Sequence, residues 1–215
     1  MKKLLAVLIA LAMLTSTAAL AEAVNSKTIL VSAMLVNNET GAINPVEYIA
    51  PAIRRANAPA LVHIDAIQGF GKLPFRPARV GADLVSVSGH KLHAPKGVGA
   101  LYVKKGVSIR NYVYGGGQEN GLFSGTENVP GIAGFGAAVR ALPDPKAQLA
   151  KTQALNAFLR ERLSALRPDL PLQTAPSVAD GISLALGSAG DRLIYIGGST
   201  FVVTAAIEYF NNRQP

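Results

Sequence analysis

The sequence predicts an α/β fold whose sheet is at least partly parallel, and three observations carry that reading. Short apolar, β-branched runs recur at residues 28–36, 61–64, 82–87 and 99–103. The first is a continuous apolar and β-branched run, as in a buried strand, the other three read as buried strands too, and a helical stretch with Gly and Pro punctuation separates them. The chain has 215 residues, 49% hydrophobic and 16% charged, which suits one globular domain or one domain with an appendage.

The elements follow in order. Lys2 and Lys3 precede an unbroken apolar run from Leu4 to Leu14, and the small residues after it end in Ala19-Leu20-Ala21. A charged start, a short apolar middle and an Ala-x-Ala exit form the pattern of a secretory signal peptide cleaved after Ala21, and the run is too short to span a bilayer. The expected mature protein is periplasmic or secreted and free of the membrane after cleavage; a cytoplasmic product is the other reading. Thr28 to Val36, closed by Asn37-Asn38, reads as a buried strand, and Pro45 to Asn57 as a helix. Leu61–Ile64, Ala82–Val87 and Gly99–Val103 read as three further strands.

Residues 115–128, GGGQENGLFSGTEN, are too rich in glycine for either element and form a shaped loop. A helix from Val129 to Leu142 follows, and Pro143 and Pro145 break it. Lys146 to Leu166 carries Leu149, Leu155, Phe158, Leu159, Leu163 and Leu166 near helical spacing. Beyond lie a helix that Ser177 can cap, a strand Leu193–Ile196, a Gly197-Gly198 turn and a closing helix from Ser199 to Phe210. The organisation is thus 1–21 signal peptide, 22–143 main α/β domain, and 144–215 helical linker with a small α/β appendage.

The formal charge of +8 falls to +6 when residues 1–21, with two lysines and no acid, are removed. The remaining cations are scattered, as at Arg54-Arg55, Lys104-Lys105 and Arg160/Arg162, without interleaved aromatics. That is a solvated basic surface, and no nucleic-acid partner is expected. The absence of cysteine excludes a disulfide, a thiolate metal site and a thiol nucleophile within these residues. No pair of histidines has metal spacing with a carboxylate, so no metal is expected.

Ligands of open α/β sheets bind beyond the carboxyl ends of the strands. Asn37/Asn38, Asp65/Gln68 and Ser88/His90/Lys91 each follow a predicted strand, so three segments converge on one crevice. An amine that can form a Schiff base and a carboxylate that can keep a pyridine nitrogen protonated are what pyridoxal-phosphate chemistry requires. His63, inside an apolar strand, reads as a packed histidine rather than a ligand.

Four ordered blocks sharpen this: TILVSAMLVNNETGAINP, HIDAIQGFGKLP, GADLVSVSGHKLHAPKGVGALYVKKG and GGGQENGLFSGTENVPGIAGFGAA. Over residues 27–140 the chain resembles the cysteine desulfurases, pyridoxal 5'-phosphate enzymes of the class V aminotransferase type. The resemblance implies part of a type I PLP-transferase large domain, its sheet flanked by helices, with a C-terminal helix–strand–helix appendage. It implies that Lys91 is the catalytic Schiff-base lysine and that Asp65 pairs with the pyridine nitrogen. By the same resemblance Gln68 and Asn38 address the phenolic oxygen and the substrate side, and Ser88 and His90 contact the phosphate. Thr126 matches a threonine that reaches the phosphate of a neighbouring subunit, which implies a homodimer. The family's substrate is L-cysteine, whose sulfur is transferred to leave L-alanine.

The pattern also breaks. Family members carry a long region ahead of VNNETG, with a Gly-Thr turn for the phosphate and a ring that stacks on the cofactor; here the signal-like segment stands in its place. The sulfur-accepting cysteine has no counterpart, Phe123 replaces an arginine, Tyr114 a histidine and Ala94 a glycine. Residues 177–210 resemble the end of a folylpolyglutamate synthase, but none of that family's ATP-binding residues are present, so no ligase activity is carried over. The expectation is a desulfurase-like chain that is catalytically incomplete. The alternatives are a non-catalytic cofactor-binding fragment, or a truncated or chimeric α/β product without activity.

Overall fold

The apolar runs become strands, and the strands stand in chain order. β1 (Ala6–Ala10), β2 (Thr28–Met34), β3 (Leu61–Asp65), β4 (Leu84–Ser88) and β5 (Gly99–Val103) form one five-stranded sheet. The first four are parallel, and β5 runs antiparallel to β4. The link between β4 and β5 is shorter than the dozen or so residues that a parallel crossover needs, so β5 has to double back. The structure is a computed structural model that describes residues 6–10, 23–39, 41–168, 173, 175, 178–190, 194, 207 and 209–210.

The β2–β3 connection supplies the helical cover. A 3-10 turn, Val46–Tyr48, runs into α1 (Ile49–Arg55), so the expected helix over 45–57 is both shorter and tighter at its start. Val46, Ile49, Ala52 and Ile53 pack on Val31, Ala33, Val62, Ile64 and Val85, with Val31, Ile49 and Ile64 wholly buried. Burying each such side chain contributes roughly 1.5–3 kcal/mol, which is what holds helix to sheet. The β3–β4 connection carries α2 (Pro77–Val80), started by Pro77 and ended by Gly81 at φ +70°.

Two strand expectations change. β5, expected as a buried strand, is exposed along nearly all its length because it forms the edge of the sheet, and for β2, β3 and β4 the reading as buried strands holds for one face only. The other face carries Ser32, His63, Asp65 and Ser86, all half-buried, because its centre is polar and hydrogen-bonded rather than packed. β2 ends at Met34, before the expected Val36, because the chain turns there. Asn44 Nδ2 donates to the Met34 carbonyl at 2.9 Å, and Val36 pairs with Ile43 as an isolated antiparallel bridge.

The second half is helical. α3 (Val129–Arg140) begins at Asn128, whose Oδ1 accepts from Gly131 N–H at 3.0 Å. α4 (Pro145–Leu166) begins at Asp144, which accepts from the N–H groups of Lys146 and Ala147, both at 3.0 Å. α5 (Val178–Ala189) follows, one residue beyond Ser177, which lies outside the described residues together with most of the expected strand 193–196 and closing helix. The apolar run expected to act as a signal contributes β1, which pairs with β2 from Val7↔Leu30 to Ala10↔Ala33.

Candidate functional site

Strand register brings the chemistry to one sheet edge. Met34, Asp65 and Ser86 stand abreast on β2, β3 and β4, and Asp65 closes β3 at its carboxyl end. Its Oδ1 accepts from Ile67 N–H at 2.9 Å, an Asx turn that fixes the carboxylate against its own backbone. Two residues earlier on the same face, His63 links three strands. Its Nδ1 lies 2.7 Å from Ser32 Oγ and its Nε2 3.2 Å from Ser86 Oγ. Burial pushes the imidazole below its ordinary pKa and the Asp65 carboxylate pulls it part of the way back. His63 is therefore packed, as its sequence reading holds, but within a polar ladder rather than an apolar strand. Only the register reveals Ser32 and Ser86 as its partners.

Lys91 is set by the turn that follows β4. Ser88 Oγ lies 2.8 Å from His90 Nδ1, and Gly89–Leu92 makes one 3-10 turn. Gly89 N–H donates to the Val98 carbonyl at 2.8 Å, and a Cβ on Gly89 would stand 2.9 Å from Val98 Cγ1. A side chain at residue 89 would force the turn apart. Leu92, 2% exposed, anchors the turn from beneath, and His93 closes it in the left-handed region at φ +64°. Half-buried Lys91 then lines a cavity of about 580 Å³, with Lys72, Leu92 and Pro95 on one side and Ala138, Leu142 and Gln148 on the other.

Of the seven residues expected in the site, five end or follow β3 and β4 at the same edge: Asp65, Gln68, Ser88, His90 and Lys91. Asn38 follows β2 on that edge, exposed, with its Nδ2 donating to Glu39 Oε1 at 2.7 Å. The other carboxylate oxygen, Glu39 Oε2, is buried without a hydrogen-bond partner among the described residues. Thr126 stands exposed in the loop before α3. Only Lys91 of the seven lines the cavity. Phe123, where the resemblance expects an arginine, stacks on Tyr112 with ring centroids 6.5 Å apart and planes 11° apart. A carboxylate at one strand end, and a hydroxyl–imidazole pair and an amine at the next, suit in kind a protonated pyridine ring that bears a phosphate.

Comparison with known proteins gives the same direction. A family model described as aminotransferase class-V matches residues 9–180. The cysteine desulfurase of Gluconacetobacter diazotrophicus is 52% identical over 116 residues, 54% of this chain and 28% of the relative. Cysteine desulfurase 2 of Trichormus variabilis is 40% identical over 155 residues, 72% of this chain and 38% of the relative. The chain thus spans about a third of the length of these curated relatives. Among solved structures, a NifS-like protein superposes with a TM-score of 0.64 at 41% identity, over 74% of this chain and 44% of that one. DndA from Streptomyces lividans superposes with a TM-score of 0.62 at 32% identity, over 90% of this chain and 60% of that one. SspA, solved in complex with cysteine, does so at 0.57 and 36% identity, over 66% of this chain and 42% of that one.

Proposed function

The chain belongs to the class-V aminotransferase family, and from that premise we propose that it supplies the cofactor-binding sheet edge of a cysteine desulfurase acting on L-cysteine. Class-V aminotransferases and cysteine desulfurases are pyridoxal-phosphate enzymes, so the cofactor class follows from the family. The observation that carries the proposal is the delivery of Asp65 and Lys91 to the carboxyl ends of adjacent parallel strands.

When bound, pyridoxal phosphate supplies an aldehyde for an amine and an electron sink for the α-carbon of an amino acid. The chain's own residues divide the remaining work. Lys91 offers the amine and, when free, takes or returns the α-proton. Asp65, held by the Ile67 N–H, keeps one carboxylate oxygen for a ring N–H. Ser88 and His90 bind phosphate oxygens, Gln68 the phenolic oxygen, and Asn38 the substrate side once it leaves Glu39. Thr126 serves the neighbouring subunit of a homodimer. No cysteine occurs among the 215 residues, so the thiolate that accepts sulfur is not theirs to give, and the chain by itself forms no persulfide.

The test is incubation with pyridoxal phosphate, borohydride reduction and peptide mapping, alongside an assay for alanine released from L-cysteine. A reduced adduct on Lys91, lost in Lys91→Ala, with no alanine formed, is the expected result. Cofactor uptake that leaves Lys91 unlabelled overturns the site, and alanine release that requires Lys91 overturns the incompleteness.

Export is a further part of this reading, supported by Lys2-Lys3, the apolar run and Ala19-Leu20-Ala21. Cleavage after Ala21 would remove β1 and bare the edge of β2, so export and a five-stranded sheet exclude one another. Amino-terminal sequencing of the expressed protein decides: a start at Glu22 supports export and a retained Met1 overturns it.

A further inference from the structure

Lys72 has no part in the site proposed above, although it sits in the turn after β3. It is half-buried on the wall of the Lys91 cavity, next to Gly71, where a Cβ would stand 2.7 Å from Leu142 Cδ1. Among the described residues no carboxylate lines this cavity, and neither Lys72 nor Lys91 forms an ion pair. Two amines thus share one cleft walled by small and apolar groups.

Among the described residues, the groups that face Lys72 are few. The turn after β4 contributes Lys91 and the exposed His93, α3 contributes Gly134, Ala137 and Ala138, and α4 contributes the uncharged Gln148. Loss of water, and secondly the charge of Lys91, push the Lys72 ammonium below the ordinary lysine value. A larger share of it is the neutral amine at pH 7 than of a solvated lysine, and a neutral amine in an apolar cleft is a nucleophile toward carbonyls.

We propose that Lys72 is a second carbonyl-reactive amine of this cleft, one that forms imines with small aromatic aldehydes whether or not Lys91 holds the cofactor. The nitrogen lone pair attacks the carbonyl carbon and the C=O π pair moves to oxygen. The two amine hydrogens then leave with that oxygen as water, which closes the C=N bond. Cyanoborohydride fixes the product by adding hydride to carbon while water protonates nitrogen.

The experiment treats the full chain with limiting salicylaldehyde and cyanoborohydride at pH 7 and maps labelled peptides by mass spectrometry. Lys72 is expected to label several-fold faster than the exposed Lys96 and Lys146, and the preference shrinks as the pH approaches about 10.4, where every lysine is losing its proton. In Lys91→Gln the preference falls but persists, because burial is the larger of the two causes. Lys72→Arg keeps the charge and loses the fast label. A Lys72 rate no greater than that of Lys96 and Lys146 overturns the proposal. If pyridoxal phosphate is trapped on Lys91 while Lys72 labels at the exposed rate, this inference alone falls. If Lys72 labels fast and Lys91 takes no pyridoxal phosphate, the proposed function alone falls.

Discussion

α1 and α4 are both helices, yet they owe their order to different physics. α1 has seven residues and buries Ile49, Ala52 and Ile53 on the sheet; α4 has 22 residues and, as described, buries none. A seven-residue helix is marginal alone and is held by the surface it covers. α4 is held by local terms: the Asp144 cap, straight-chain residues and length. Its apolar stripe, with Leu155 and Phe158 about 60% exposed, shows that periodicity can declare a face without naming what covers it.

The sharpest way to break this comparison is to cut one side chain from each half. Ile64→Ala, at a position wholly buried between β2 and β4, is expected to cost about 2–5 kcal/mol of unfolding free energy in urea. Phe158→Ala in α4 is expected to cost under about 0.5 kcal/mol. An equal loss at Phe158 would mean that the stripe is covered in solution and that the two helices are held alike.

Glycines sharpen the contrast at the next scale. A Cβ at Gly99, where β5 begins, would stand 2.6 Å from the Val87 backbone carbonyl, and backbone there has no room to yield. Gly99→Ala is therefore expected to cost about 1–3 kcal/mol. At Gly187 in α5 a Cβ would meet nothing within 4 Å beyond its own helix among the described residues, and Gly187→Ala is expected to stabilise by up to about 1 kcal/mol through helix propensity. Thermal melts of both variants followed by circular dichroism decide, and the contrast fails if both shifts have the same sign.

Legibility followed the same divide. β5 was readable to its bounds, and β3, β4, α3 and α4 to within about two residues, because apolar period and Gly/Pro punctuation are local signals. The order of Asp65, Ser88 and Lys91 along the chain was enough to bring them to one edge, since parallel strands deliver their carboxyl ends together. Three things were not legible. The Ser32–His63–Ser86 ladder exists only once strands choose a register, the role of Lys72 only once α3 and α4 close a cavity over it, and the strand use of Ala6–Ala10 only once an edge of β2 is there to pair with.

The ladder offers a pH test that the helical half should not share. His63 has its folded pKa pushed below the unfolded value of 6.5, so the unfolded chain binds more protons between the two. Stability is complete above pH 6.5, declines as pH falls through that value, and levels off below the folded pKa. Urea midpoints measured from pH 8 to 5 should slope downward in the native chain. His63→Gln should flatten the His63 part of that slope. An unchanged slope would place the titrating group elsewhere.

The smallest expected effect comes from the sheet's exposed rim. Lys104 Nζ lies 2.9 Å from Asp83 Oδ1, the ion pair found among the described residues, and its two ends are unequal. The lysine is open to solvent, where water and salt screen the attraction, so Lys104→Ala is expected to leave the urea midpoint unchanged within error. Asp83 is largely covered, and its Oδ2 also accepts from the Val62 N–H at 3.0 Å, at the start of β3's buried run. Asp83→Ala strands that donor and is expected to cost about 1 kcal/mol. The midpoint difference between the two variants should survive in high salt, because the part that matters is a hydrogen bond to backbone. If the two substitutions cost the same and the cost fades with salt, charge rather than strand geometry holds this rim.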